Sequence, residues 1–179
     1  MSGSNELPAP VALVTGATSG IGRAVARKLA AVGFSVLGHG RDAPRGAAVV
    51  DEIIADGGHA RFAPADLTDA ADLERLAAEA ADVDVDVLVN NAGFSWFGPT
   101  ADLTPATFDA MFAANVRSAY FLVAAIAPVM AKRGAGAIIN LGSMAGQIGL
   151  AGGSRLQRHQ GRAGVADQVL GGRVQPPGS

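Results

Sequence analysis

The sequence contains no cysteine, and aromatic residues make up only 5% of its 179 positions. The absence of cysteine excludes disulfides, thiol nucleophiles and thiolate metal sites. It also suits a reducing cytoplasm, where we expect the protein to act. The three histidines, His39, His59 and His159, lack the spacing of a metal site, so no bound metal is expected.

Charge is sparse as well, at 17% of residues with a net charge of −2. We therefore expect no nucleic-acid partner and no attraction to an anionic membrane. The N-terminus has no signal-peptide pattern, and the apolar segment Ala119–Met130 is too short to cross a bilayer, so no membrane association is expected. The 49% of hydrophobic residues suffices for one domain with a buried core.

Short apolar runs alternate with helical patterns along the chain. The predicted strands are Val11–Thr15, Phe34–Leu37, Ala60–Ala63, Val85–Val89 and Ala137–Leu141. The first predicted helix has Ile21, Val25 and Leu29 on one face and ends at Gly33. The second covers 46–55, and the third covers 69–81 with Thr68 as its cap. The fourth is long and runs from Thr104–Pro105 to about Lys132. This alternation predicts the α/β class, with a parallel sheet covered by helices on both faces.

A glycine-rich loop, TGATSGIG at 15–22, joins the first predicted strand to the first predicted helix. Glycine permits a tight turn and lets backbone N–H groups approach a phosphate, while the helix N-terminus supplies partial positive charge. An ordinary glycine-rich turn is the alternative, but the flanking strand and helix favour a dinucleotide site. The candidate cofactor-binding residues of this loop are Gly16, Ala17, Thr18, Ser19, Gly20, Ile21 and Gly22.

Polar residues also follow the fourth and fifth predicted strands. NNAG, at 90–93, ends the fourth strand, and Ser143 follows the fifth, so both fall at the same sheet edge as the glycine loop. Asn115 lies in the long helix among apolar neighbours. Taken singly, each has an ordinary structural reading, such as a polar turn or a solvent-facing amide.

Together and in this order, the motifs resemble the short-chain dehydrogenase/reductase family, especially its 3-oxoacyl-ACP-reductase-like members, over about residues 8–153. The resemblance implies a Rossmann-type doubly wound parallel sheet of strand order 3-2-1-4-5-6-7, truncated here after the fifth strand. It also implies hydride transfer between a nicotinamide cofactor and a small ketone or secondary alcohol. The residues it assigns are Ser143 and Asn115 as catalytic, Asn91 in the cofactor site, and Asp66 and Leu67 against the adenine.

The resemblance places Arg41, in the segment GHGRD, near the adenosine ribose of the cofactor. A guanidinium can pair with a 2′-phosphate, whereas an acidic residue would hold a free 2′-hydroxyl, so Arg41 predicts NADP. Ser19 stands where many NADP-using members carry a second basic residue, and NAD remains the alternative.

The family pattern is interrupted after Ser143. The resemblance implies a tyrosine 13 residues later and a lysine four residues beyond it, but the chain has Leu156 and Gln160 there, and its only tyrosine is Tyr120. In the family the tyrosine exchanges a proton with the substrate. Since a free tyrosine has a pKa near ~10, it depends on the lysine to work near neutral pH.

The segment 154–179 reads as family sequence in another reading frame. Shifting its back-translated codons by one nucleotide gives AYSATKAALESLTRSWAAEYSPRG, with tyrosine at 156 and lysine at 160. We therefore divide the chain into an incomplete cofactor-binding domain, 1–153, and an out-of-frame tail, 154–179. We expect that tail to be disordered and to preclude the family tetramer.

A divergent natural tail is the alternative to a shifted frame. Three hypotheses about function stay open at this point: an oxidoreductase with a disrupted C-terminal third, a non-catalytic dinucleotide-binding remnant, and a regulatory protein that keeps the fold.

Overall fold

Five apolar runs form a parallel sheet at the centre of the protein, of which the computed structural model describes residues 10–143. The strands are β1 (Val11–Val14), β2 (Ser35–Gly40), β3 (His59–Pro64), β4 (Val87–Asn90) and β5 (Ala137–Asn140). Their order is β3-β2-β1-β4-β5, and every neighbouring pair is parallel. Both the α/β class and the order 3-2-1-4-5 predicted for these strands are confirmed.

Helices cover both faces of this sheet. They are α1 (Gly20–Ala31), α2 (Ala43–Ala55), α3 (Ala70–Asp82), α4 (Pro105–Phe112) and α5 (Ser118–Arg133). Adjacent residues of β1 enter different cores, because side chains alternate along a strand. Leu13 joins the core of α3 and α5, and Val14 joins the core of α1 and α2. A strand buried on both faces explains the unbroken apolar run that predicted it.

The predicted apolar face of α1 is wrong at its first residue. Ile21 is 65% exposed, and the buried residues of the helix are Gly22, Ala26 and Ala30. Val25 and Leu29 pack only partly against the core. Because α1 begins at Gly20, Ile21 lies in the first turn, where it lines an open cavity instead of the sheet.

The predicted cap of the third helix is also wrong by one residue. Asp69 is the N-cap of α3, and its Oδ1 accepts a hydrogen bond of 2.9 Å from the backbone N–H of Asp72. The Thr68 hydroxyl instead donates to Oδ1 of Asp66, 2.8 Å away. Sequence spacing does not distinguish two adjacent capping residues, whereas the competing partner of Thr68 decides between them.

The long predicted helix is continuous over Pro105–Arg133 but contains a π turn, Ala113–Arg117. At 29 residues this run is long and apolar enough to cross a membrane by length and composition alone, whereas the shorter apolar segment Ala119–Met130 within it is not. Leu122, Ile126 and Met130 nevertheless pack into the core beside α3, which is the arrangement of a buried helix in a globular domain. In the most apolar part of this helix, 33% of the residues are buried in this way.

The predictions for the tail, 154–179, including positions 156 and 160, fall outside the described residues.

Candidate active site

The carboxyl ends of β1, β4 and β5 meet the π turn around a cavity of about 190 Å³. Both residues predicted to be catalytic line this cavity: Asn115 from the π turn and Ser143 from the segment after β5. Ser143 is exposed and Asn115 is half-buried. Two side chains that lie 28 positions apart in the sequence thus face one space that a small molecule can enter.

The π turn gives Asn115 two contacts with the segment after β4. Its Oδ1 accepts from the backbone N–H of Phe94 at 2.9 Å, and its Nδ2 donates to the carbonyl of Phe94 at 2.8 Å. The approach is close, since a Cβ placed on Gly93 would lie 2.8 Å from the same Oδ1. The side chain therefore fastens the helix to the loop that follows β4. A π turn inside an α-helix is often associated with function, and here it contains the predicted catalytic amide.

The glycine loop folds tightly between β1 and α1. Gly16 and Gly20 have φ values of +67° and +52°, which a side chain would strain. A Cβ on Gly22 would overlap the carbonyl oxygen of Gly16 and the side-chain amide of Asn91. The first-turn N–H groups of α1 have no intrahelical acceptors, so the loop presents donors and a positive helix end to the adjacent space.

Thr15 is a positioning residue that the sequence analysis missed. Its buried hydroxyl donates to the carbonyl of Val89 at 3.3 Å and accepts from the N–H groups of Asn91 at 3.0 Å and Ala92 at 2.9 Å. One side chain therefore ties the end of β1 to the end of β4. The available signal was a polar residue ending an otherwise apolar strand, directly before the glycines.

The side chain of Asn91 holds the backbone of the glycine loop through hydrogen bonds. Its Nδ2 donates to the carbonyl of Thr15 at 2.9 Å and to that of Gly16 at 3.3 Å. Asn91 also lines the cavities on both sides of the loop. Its predicted contact with a cofactor stays a prediction, while its contact with the loop backbone is a feature of the fold.

A second, larger cavity of about 390 Å³ lies on the other side of the glycine loop. All the predicted cofactor-binding residues except Ala17 line it: Gly16, Thr18, Ser19, Gly20, Ile21, Gly22, Arg41, Asp66, Leu67 and Asn91. Ala17 is buried, and its N–H already donates to the carbonyl of His39 at 2.8 Å. Ala17 therefore shapes the loop from inside the fold.

Arg41 and Asp66 place opposite charges on the wall of this larger cavity. Hydrogen bonds from the backbone N–H and the hydroxyl of Thr68 hold the pKa of Asp66 below its usual value, and the charge of Arg41 acts in the same direction. Arg41 is exposed, and within residues 10–143 no hydrogen bond or ion pair engages its guanidinium. A cation at the mouth of a cavity lined by helix N–H groups fits an anionic ligand.

His39, near the end of β2, is a second residue whose contacts the sequence does not reveal. From the sequence, it is considered only as a metal ligand. The imidazole is buried, its Nε2 lies 3.1 Å from the carbonyl oxygen of Ala65, and its Nδ1 lies 3.4 Å from the backbone N of Gly16. Burial lowers the pKa of His39 to about 4, against smaller opposing effects from Ala65 and from the carboxylates of Asp66 and Asp72. The ring is therefore neutral at pH 7.

This buried imidazole predicts an acid-sensitive stability. His39 titrates near 6.5 when unfolded and near 4 when folded, so between these pH values the unfolded state binds the extra proton. The free energy of unfolding should fall as the pH is lowered through this window, by up to about 3 kcal/mol. Urea unfolding at pH 7 and pH 4.5 measures the change. His39→Gln should reduce it, whereas the same change at the exposed His59 should not; equal pH dependence in all three proteins would contradict the assignment.

Comparison with known proteins decides the family. The chain matches the short chain dehydrogenase family over residues 10–155. The chain belongs to this family. The resemblance seen in the sequence is thereby confirmed, and the five-stranded parallel sheet is that of the Rossmann-type fold of this family.

Individual relatives point the same way. The chain is 37% identical over 146 residues to a 3-oxoacyl-[acyl-carrier-protein] reductase of Synechocystis sp., covering 80% of this chain and 59% of the relative. A metagenomic short-chain oxidoreductase solved in complex with NADP superposes with a TM-score of 0.81 at 40% identity, covering 89% of this chain and 76% of that one. A short-chain dehydrogenase from Sphingobium yanoikuyae in complex with NADPH gives 0.86 at 31% identity, covering 90% and 64%. The chain thus spans about three fifths of the length of the Synechocystis relative.

Proposed function

We propose that residues 10–143 bind NADP(H) along the carboxyl edge of the sheet, with the adenosine half in the larger cavity. The observation that carries this proposal is the combination of a glycine loop too tight for a Cβ at Gly22 with an exposed Arg41 that lines the same cavity. The loop N–H groups would hold the pyrophosphate, Arg41 the 2′-phosphate, and Asp66 and Leu67 the adenine. The complexes of two relatives with NADP and NADPH support this choice over NAD.

Arg41 provides the test of cofactor choice. Arg41→Ala should weaken NADP⁺ binding about tenfold, the loss expected for one charge-assisted hydrogen bond at an exposed site, and should leave NAD⁺ binding nearly unchanged. Dissociation constants for both cofactors, measured by calorimetry on the full chain, give the ratio. Arg45→Ala is the matched control, because Arg45 is another exposed arginine nearby that pairs with Asp42 and is not among the residues lining the cavity. A ratio that does not change would rule out the 2′-phosphate contact.

The proposed reaction is the interconversion of a small ketone and a secondary alcohol, with the cofactor supplying or accepting the hydride. Ser143 would hydrogen-bond the substrate oxygen in the smaller cavity, and Asn115 would fix the wall of that cavity through Phe94. Phe94 is 40% exposed and lines both cavities, so it offers an apolar surface where the two meet. Proton exchange would need the tyrosine and lysine of the shifted frame.

For the chain as it stands, cofactor binding without turnover is the function best supported. Leu156 and Gln160 occupy the positions of the proton-exchanging pair, and neither side chain titrates. The residues that we propose to bind the cofactor, in contrast, lie within 10–143. We further propose that the protein is cytoplasmic and does not form the family tetramer.

A further inference from the structure

We infer that His39 is a positioning residue for the cofactor: in one fixed tautomer, its imidazole joins the glycine loop to the loop after β3 and so sets the width of the adenosine cavity. This inference rests on the proposed binding of NADP(H). It concerns a side chain that the proposed mechanism does not otherwise use.

The tautomer follows from the two ring contacts. Nε2 lies 3.1 Å from the carbonyl oxygen of Ala65, which can only accept, so Nε2 carries the proton. Nδ1 lies 3.4 Å from the backbone N of Gly16, which can only donate, so Nδ1 is the acceptor. Both contacts are made at once only by the neutral ring with its proton on Nε2, which is the state that burial favours.

The backbone around His39 repeats the same connection. The carbonyl of His39 accepts from the N–H of Ala17 at 2.8 Å, and the carbonyl of Gly40 accepts from the N–H of Ala65 at 3.1 Å. The end of β2 therefore bonds on one side to the glycine loop and on the other to the loop before Asp66. Gly16 and Asp66 both line the larger cavity, and the imidazole bonds to Gly16 and to Ala65, the neighbour of Asp66.

The loops held in this way present the groups proposed to bind the cofactor. The Ala65 carbonyl fixes the chain one residue before Asp66, and the Gly16 N–H fixes the start of the loop whose later N–H groups face the cavity. Loss of the imidazole should widen or loosen the cavity, so that the cofactor would have to order the two loops when it binds. The loss should then appear in affinity, beyond any effect on the stability of the fold.

Three substitutions separate the two contacts. His39→Leu removes both and replaces the polar ring with an apolar side chain; His39→Asn keeps an acceptor near the position of Nδ1, and His39→Gln keeps a donor near the position of Nε2. We expect His39→Leu to raise the dissociation constants of NADP⁺ and adenosine 2′,5′-bisphosphate about tenfold in the full chain, with Asn and Gln intermediate. His59→Leu, the same change at an exposed position on β3, should leave both constants within about twofold.

Binding is measured at a temperature at which circular dichroism shows every variant folded, and ¹⁵N spectroscopy of the wild-type imidazole at pH 7 reads the tautomer directly. A protonated Nε2 together with weaker binding by the folded variants supports the inference. If His39→Leu does not fold, the Asn and Gln variants decide it. Lower stability with unchanged dissociation constants, or a proton on Nδ1, would show that His39 is only a core residue. Absence of binding by the wild-type protein would overturn the proposed function itself, and the positioning role with it.

Discussion

The 179-residue protein should catalyse no measurable NADPH-dependent reduction of ketones or 3-oxoacyl thioesters, whereas the gene with its reading frame restored from about codon 154 should encode an active enzyme. Removal of one general acid–base group typically costs about 10²–10⁴-fold in rate, and here the supporting cation is replaced as well. We therefore expect at least about a 100-fold difference between the two proteins. Steady-state NADPH oxidation at equal protein concentration, with both masses confirmed, measures it.

Ser143→Ala in the restored protein is the matched control. It should lower turnover while leaving NADPH binding intact, because Ser143 lines the smaller cavity and not the larger one. Turnover by the 179-residue protein at the rate of the restored one would contradict the assignment of the missing proton-transfer pair. It would favour instead a natural tail with its own catalytic group.

Gly22→Ala should abolish NADP(H) binding. The new Cβ would overlap the carbonyl oxygen of Gly16 and the side-chain amide of Asn91, and moving either would disturb the hydrogen bonds that Asn91 Nδ2 donates to the carbonyls of Thr15 and Gly16. Overpacking of this kind typically costs about 1–3 kcal/mol, and the same displacement takes the loop N–H groups away from the cavity. We expect NADPH affinity to fall by about 100-fold or more, with a lower midpoint of urea unfolding.

Ala24→Val, two residues further along α1, controls for the added bulk. Ala24 is exposed, so a larger side chain there costs only helix propensity, about 0.5 kcal/mol, and should leave NADPH binding unchanged. Wild-type affinity in Gly22→Ala would show that the glycine loop does not hold the cofactor in the way proposed.

The sequence predicted the sheet and the site edge because their signals are local. An apolar run followed directly by Gly16, Gly20 and Gly22 favours a strand, a tight loop and a helix, and the alternation of strands and helices predicts a parallel sheet. The order of the strands came from the family resemblance. The position of Ser143 then follows from the fold, since the carboxyl ends of parallel strands lie at one edge, whereas Asn115, in a helix, was assigned by the family resemblance.

The parts that the sequence did not predict depend on contacts between distant residues. His39 and Ala65 are 26 positions apart and Thr15 and Asn91 are 76 apart, and no periodicity links either pair. The π turn at Asn115 is stabilised by its bonds to Phe94, 21 positions earlier, in a segment that reads as ordinary helix. Ile21 matches a helical repeat, yet it is exposed and lines a cavity, because it lies in the first turn of α1.

Calorimetric titration of the full 179-residue protein with NADPH tests the central claim most directly. The account predicts saturable binding at one site per chain, competed by adenosine 2′,5′-bisphosphate and lost in Gly22→Ala. A folded wild-type protein, shown by a cooperative unfolding transition, that gives no saturable binding would contradict it.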